Sequence, residues 1–244
     1  MAVGGLLKRL AQAQLDKSFP PDFDTDAIEL YQAVRPYTMT SRERVFALRQ
    51  SVEYVIDRGI PGDIVECGVW KGGSMMAVAR TLLGRKARRR LHLFDTFDGM
   101  SEPTTADRSF RGDLAADLLQ QADRTSSPIW AYGALDEVKA NLRSTGYDER
   151  DLVFVQGKVE DTIPAQAPAQ IALLRLDTDW YESTHHELVH LYPRLSVGGV
   201  LIIDDYGHWE GARQAVDRYV EEHGLKLLLN RIVYTGRIAV KLEP

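Results

Sequence analysis

Two apolar runs that each end in carboxylates constrain this chain most. The first is Leu173-Leu174-Arg175-Leu176-Asp177-Thr178-Asp179, and the second is Val200-Leu201-Ile202-Ile203-Asp204-Asp205-Tyr206. Between them, residues 182–195 have helical spacing, with Leu188, Leu191 and Leu195 on one side. The order is therefore strand, helix, strand, with acidic groups collected where the strands end. In a parallel sheet those ends share one edge, and ligands bind outside it. Crowded carboxylates repel one another unless a proton or a cation lies between them. A hard divalent cation such as Mg²⁺ prefers oxygen ligands of this kind. A single Asp at such a place more often caps a strand or starts a helix. Asp177, Asp179, Asp204 and Asp205 together point to a metal or substrate site.

A chain of 244 residues accommodates one large α/β domain. Its net charge of −5 speaks against nucleic acid or an anionic membrane as the main partner. The one cysteine, Cys67, excludes an intramolecular disulfide and sits in an apolar strand pattern, where a buried inert thiol is expected. No stretch approaches the ~18 apolar residues of a membrane span. Near the N-terminus an apolar piece precedes Lys8 and Arg9, the reverse of a secretory signal. A cytoplasmic protein is expected.

Residues 1–15 and 26–34 have the pattern of short helices, separated by the Pro20-Pro21 segment, which cannot be helical throughout. Residues 42–57 form a stronger helix with Ser41 as N-cap and Val45, Leu48, Val52, Val55 and Ile56 as its apolar stripe. A first strand is expected over 63–70. It runs into Lys71-Gly72-Gly73-Ser74 and a helix over 75–83. A glycine-rich turn between strand and helix lets a ligand approach the backbone and aims helix N-terminal amides at it. The spacing is not G-x-G-x-x-G, so a nicotinamide dinucleotide is disfavoured. A second strand, 91–94, closes on Asp95, and 95 − 73 = 22 residues separate it from the turn. That interval suits an acidic residue that accepts from ribose hydroxyls, about 20 residues on. An N-cap or turn role for Asp95 stays open.

Residues 100–130 are polar and irregular apart from a helical stretch at 114–122; a connection this long is more often functional than idle, and a mobile lid is expected. A helix follows at 136–144 and a third strand at 152–155, then Gly157-Lys158-Val159-Glu160. Gly198-Gly199 marks the turn before the fifth strand. Residues 209–222 form an amphipathic helix, and 226–233 with 237–242 form a closing hairpin.

With these pieces in place the chain resembles class I S-adenosylmethionine-dependent methyltransferases. More narrowly it is similar to the macrocin O-methyltransferase family, which methylates hydroxyls of glycosylated natural products, sugars or phenols. The matching stretches include Tyr37-Thr38-Met39, residues 61–73, residues 174–184, residues 191–195 and Ile203-Asp204-Asp205-Tyr206. The resemblance implies a Rossmann-like α/β fold: a seven-stranded, mostly parallel sheet of order 3-2-1-4-5-7-6 with helices on both faces and a terminal antiparallel hairpin. It implies an N-terminal helical extension over 1–40 and a methyltransferase domain over 41–244. It implies S-adenosylmethionine held by Thr38, Met39, Glu66, Gly68, Gly72, Gly73, Ser74, Asp95, Gly157, Val159 and Glu160. It implies Mg²⁺ on Asp177, Asp204 and Asp205, with Asp177 and Asp179 as the catalytic pair. His185, His186 and His208 are rival bases. The expected partners are a small-molecule hydroxyl acceptor and further copies of the same chain, without nucleic acid or membrane. A phenol or catechol acceptor, or a silent cofactor-binding domain of the same fold, are the alternatives.

Overall fold

In the computed structural model, residues 19–243 are described; the helix expected over 1–15 lies outside them. A central sheet of seven strands runs in the order β3-β2-β1-β4-β5-β7-β6. The strands are β1 Asp63–Cys67, β2 Leu91–Asp95, β3 Leu152–Gln156, β4 Ile171–Leu176, β5 Leu195–Ile203, β6 Asn230–Arg231 and β7 Arg237–Val240. The first five are parallel, and β7 and β6 close the sheet antiparallel, as expected.

Alternation along the strands builds two cores, because successive side chains point to opposite faces. Ile64, Leu91, Leu93, Leu173, Val200 and Ile202 face one side, against Val45, Leu48 and Val52 of α2 (Arg42–Asp57) and Met75 to Leu82 of α3 (Gly73–Gly84). Val34, at the end of α1 (Thr25–Val34), joins this layer. Val65, Cys67, Phe94, Leu174, Leu176, Leu201 and Ile203 face the other side, against Leu188 and Leu191 of α7 (Tyr181–Leu191) and Val216 and Tyr219 of α8 (Glu210–Glu222). Strand β4 is buried along its whole length, as a parallel strand covered on both faces must be. Each such Leu contributes ~1.5–3 kcal/mol by leaving water. Shorter helices complete the fold: α4 Ala115–Gln120, α5 Leu135–Arg143 and α6 Val159–Thr162.

The caps and ends show where local sequence decides. Ser41 Oγ accepts from the backbone amide of Arg44 at 3.4 Å and starts α2. The helix expected to reach 195 stops at Leu191, because Pro193 restricts its neighbour and lacks an N–H; a 3₁₀ turn follows and Leu195 already begins β5. Gly198-Gly199 lie inside β5, where the pairing with β4 shifts register between Ile171 and Leu173. Strand β1 is shorter than expected, since the backbone turns left-handed at Gly68 and Trp70. Of the strand expected over 226–233, only Asn230–Arg231 pairs. The alternation there is real, since Leu225, Leu227 and Leu229 pack on the second core, but the backbone between them forms no ladder.

The segment expected to be a mobile lid contacts the rest of the domain at several points. Ala115 and Leu119 form a small core with Trp180, Trp209 and Ala212. The Trp180 indole donates to the Ser101 carbonyl at 3.0 Å, and the Phe110 amide donates to the His208 carbonyl at 2.8 Å. Asp107, fully buried, accepts from the Tyr181 amide at 2.8 Å and so caps α7 from outside. No described helix is long and apolar enough to cross a membrane.

Candidate active site

The parallel strands end together at one edge, and a cavity of about 490 Å³ opens there. Strand β1 passes into Gly68, whose φ is +81°; a Cβ there would stand 2.1 Å from the Asp177 carbonyl oxygen, so β1 and β4 approach more closely than a side chain permits. The turn reaches Gly72 and the N-terminus of α3 at Gly73. At Gly73 a Cβ would meet the Tyr37 carbonyl at 2.5 Å, which lets residues 37–40 cross the turn and bring Thr38 and Met39 to the cavity wall. Gly68, Ser74, Asp95, Gly157, Val159, Glu160, Asp177, Asp179, Asp204 and Asp205 share that wall. Glu66 lies buried behind it, and Gly72 and Gly73 form the back of the turn.

Asp95 ends β2 with its carboxylate directed at backbone. Oδ2 accepts from the amides of Val69 at 2.6 Å and Trp70 at 3.1 Å, and Oδ1 accepts from Phe97 at 2.7 Å. Trp70 and Phe97 both have left-handed φ, 48° and 52°, a conformation costing ~1–2 kcal/mol per residue. Asp95 thus pins two strained turns that shape the cavity, so an effect on ribose binding would arise through turn geometry as well as contact. Asp95→Ala is expected to weaken S-adenosylhomocysteine binding by roughly 1–3 kcal/mol and to lower the melting temperature, because buried amides lose their acceptor. Unchanged affinity by calorimetry would remove Asp95 from the site.

The acidic cluster is organised by a residue outside the expected set. Arg175, 2% exposed on β4, donates from Nη1 to Glu66 Oε1 and Asp177 Oδ2, each at 2.6 Å. Its Nη2 donates to Asp204 Oδ1 at 2.6 Å and Thr40 Oγ1 at 3.0 Å. Arg44, from the first turn of α2, donates to the other Asp204 oxygen and, at 3.3 Å, to the Met39 carbonyl. The one signal for Arg175 in the sequence is a charge inside an otherwise apolar strand. Glu66 Oε2 is buried without a hydrogen-bond partner, and burial raises the Glu66 carboxyl to about 7 against the pull of Arg175.

Asp177, Asp179 and Asp205 each offer a carboxylate oxygen, and these oxygens lie within 4.8 Å of one another. Burial, followed by neighbouring charges, pushes Asp177 and Asp205 well above the usual carboxylate range and Asp179 to about 7. Asp204 stands apart from this trio, both its oxygens being held by guanidinium groups. Asp179 is not extended: its φ is +71° and the Trp180 amide donates to the Thr178 carbonyl at 2.8 Å, a γ-turn around Asp179. Left-handed geometry, rather than two-residue alternation, delivers its carboxylate to the cluster. Strain of this kind collects at functional sites.

His208 lines the cavity, its ring held near 2.9 Å from the Tyr234 hydroxyl and its pKa lowered by burial. His185 stacks on Tyr181 and His186 faces the Ile163 carbonyl at 2.9 Å; neither lines the cavity.

The donor chemistry suits two groups. The unpartnered, deeply buried Glu66 oxygen beside a glycine turn and a helix N-terminus fits the ammonium and carboxylate ends of a methionine moiety. Three mutually repelling carboxylates with oxygen ligands fit a hard divalent cation.

Sheet order, terminal hairpin and cavity define a class I S-adenosylmethionine-dependent methyltransferase. The chain belongs to the macrocin-O-methyltransferase (TylF) family, whose family model matches residues 10–239. It is an enzyme, an O-methyltransferase. It is 35% identical over 201 residues to a tetracenomycin-C rhamnosyl 4′-O-methyltransferase of Streptomyces olivaceus, covering 82% of this chain and 74% of that one. It is 32% identical over 224 residues to the mycinamicin III 3″-O-methyltransferase of Micromonospora griseorubida, covering 91% and 82%. Among solved structures, the O-methyltransferase NovP superposes with a TM-score of 0.75 at 32% identity, covering 85% of this chain and 83% of that one.

Proposed function

We propose that this enzyme methylates a sugar hydroxyl of a glycosylated natural product or a nucleotide-linked deoxysugar, in a reaction that depends on a divalent cation. The observation that carries it is the half-buried carboxylate trio Asp177, Asp179 and Asp205 on the wall of the same cavity as the glycine turn. One relative named above is a 4′-O-methyltransferase of a rhamnosyl-bearing tetracenomycin C, which makes rhamnose a reasonable first acceptor.

Asp177 and Asp205 belong both to the expected ligand set and to the trio, and they are the residues assigned to the cation. Asp204 is fixed by Arg175 and Arg44 and holds the neighbouring strand end in place. S-adenosylmethionine supplies an electrophilic methyl on a sulfonium. Asp177 and Asp205 would hold the cation, which would supply Lewis acidity that eases loss of the acceptor proton. Glu66 and the α3 N-terminus bind the methionine end, and Asp95 and the Gly157-to-Glu160 segment border the nucleoside end. Asp179 takes the acceptor proton as the acceptor oxygen bonds to the methyl carbon and the carbon–sulfur bond breaks. The tethered 100–130 segment is assigned to acceptor positioning as a fixed wall, which contributes through orientation.

The test is methyl transfer from labelled S-adenosylmethionine to rhamnose and rhamnosides. Chelation with EDTA is expected to abolish turnover while leaving S-adenosylhomocysteine binding intact, and Mg²⁺ to restore it. Full activity after thorough chelation would rule out the cation, leaving a proton-sharing carboxylate group.

A further inference from the structure

Glu187 lies on α7 beside Leu188, which packs in the second core, and it is 0% exposed. A carboxyl group in such a place costs stability unless its oxygens find partners. Oε1 accepts from the Thr178 hydroxyl at 3.0 Å, and Oε2 is buried with no hydrogen-bond partner. A buried polar atom left unsatisfied calls for a reason other than stability. Glu187 does not line the cavity, so contact with a ligand there is not that reason.

Its partner stands at a sensitive place. Thr178 is the residue between Asp177 and Asp179. The Asp177 amide still donates to the Cys67 carbonyl at 2.8 Å, and the Tyr181 amide donates to Asp107 at 2.8 Å. Residues 178–180 bridge the gap between these anchors. The Trp180 amide closes the γ-turn on the Thr178 carbonyl at 2.8 Å, and Asp179 takes its left-handed φ of +71° there. Backbone of this kind persists only where its surroundings hold it. Among the described residues, the bond to Glu187 is the one hydrogen bond that ties the Thr178 hydroxyl to another side chain. It fastens the turn to the helix that follows, so residue 178 is held through its side chain as well as its carbonyl. A misplacement of ~1 Å at a reacting group can lower a rate by about 10²-fold.

We propose that Glu187 is a positioning residue for methyl transfer: by holding the Thr178 side chain it fixes the γ-turn that presents the Asp179 carboxylate to the acceptor hydroxyl. This rests on the reading of Asp179 as the base.

The experiment compares wild type, Glu187→Gln, Glu187→Met and Thr178→Val as whole chains with S-adenosylhomocysteine bound, by amide hydrogen exchange in NMR. Methionine keeps the length and bulk of the side chain without the acceptor, and glutamine keeps an acceptor oxygen. Glu187→Met and Thr178→Val should each speed exchange of the Trp180 amide roughly tenfold relative to that of Leu174 in the strand core, and the double variant no further than either alone. Glu187→Gln should stay near wild type. With labelled S-adenosylmethionine and methyl rhamnoside, the Met and Val variants should lose about ten- to hundredfold in kcat with the donor KM unchanged, and Glu187→Gln should recover most of it. Wild-type exchange at Trp180 in the Met and Val variants overturns the restraint. Exchange that rises equally at Leu174 overturns it too, since Glu187 would then serve the core alone. Should Glu187→Met fail to fold, Thr178→Val breaks the same bond from the cavity side and decides by itself. A loosened turn with wild-type kcat refutes the positioning role where Asp179→Asn is slow; where Asp179→Asn is equally fast, the base assignment fails and the positioning role falls with it. Exchange is read without an acceptor, so the restraint is decided even where rhamnosides are not turned over.

Discussion

Arg175→Met is expected to cost ~3–5 kcal/mol of folding stability at neutral pH, the range for removing one partner of a buried ion pair. The wild-type guanidinium satisfies Glu66, Asp177 and Asp204 at once, in a place where it is itself 2% exposed. Without it, Glu66 remains as a buried carboxylate and Asp177 as a half-buried one, both with no cation, and Asp204 keeps only Arg44. They can escape the penalty only by taking up protons. Their folded pKa values, already raised, would then stand further above the unfolded ones. Stability from such groups is fully present below the unfolded pKa and is lost as pH rises through the folded value. The deficit of the variant should therefore narrow at pH 5 and widen at pH 8. Arg175→Lys should fall between the two, since one ammonium cannot replace a planar fork that serves four acceptors. Denaturant unfolding of the three proteins across that pH range is the measurement. A methionine variant within ~0.5 kcal/mol of wild type, the scatter of ordinary surface changes, would show that the cluster does not need its cation.

That hub marks the limit of what the sequence reveals. Alternation in Ile64, Leu173 and Val200 against Val65, Leu174 and Leu201 is a local property, so strands and their burial can be anticipated from it, whereas the sheet order is implied by the family resemblance. Ser41 can be recognised as a cap because its partner is three residues away. The carboxylates at the ends of β4 and β5 are visible because they follow apolar runs. Arg175 meets Glu66 only because parallel pairing places these two residues side by side, and Arg44 reaches Asp204 across 160 residues of chain. Neither contact has a local signal. Asp179 shows the same limit in its backbone: alternation would put it on the side of Asp177 in an extended chain, yet a γ-turn brings it there. The 100–130 segment has the composition of a lid, but its composition does not report that Asp107 caps α7 or that Trp180 and Trp209 gather its apolar residues. Likewise Asp95 has the spacing of a ribose acceptor, while its nearest donors are the amides of its own turns.

Asp179→Asn is expected to lower kcat by roughly 10²–10⁴-fold, the usual effect of losing a general base, while binding of S-adenosylhomocysteine and Mg²⁺ persists. Asparagine is the appropriate substitution because it tolerates left-handed backbone, so the γ-turn at φ +71° survives. Alanine would remove the turn and the base together and leave the two effects inseparable. Burial first, then the charges of Asp177 and Asp204, raises the Asp179 carboxyl to about 7. The base form is therefore depleted below that value, and the wild-type rate should fall as pH drops through the inflection. A cation bound to the neighbouring carboxylates would favour the ionised form, placing the inflection at or below 7. The Asn variant should lose this inflection along with its rate. Stability should move the other way: a raised folded pKa means that ionised Asp179 destabilises the fold as pH rises, so the neutral amide should hold or raise the melting temperature at pH 8. A base kept where it costs stability is the expected mark of a functional position. A variant that keeps a near-wild-type kcat with an unchanged inflection would transfer the role to His208, which lines the same cavity and whose pKa is lowered by partial burial.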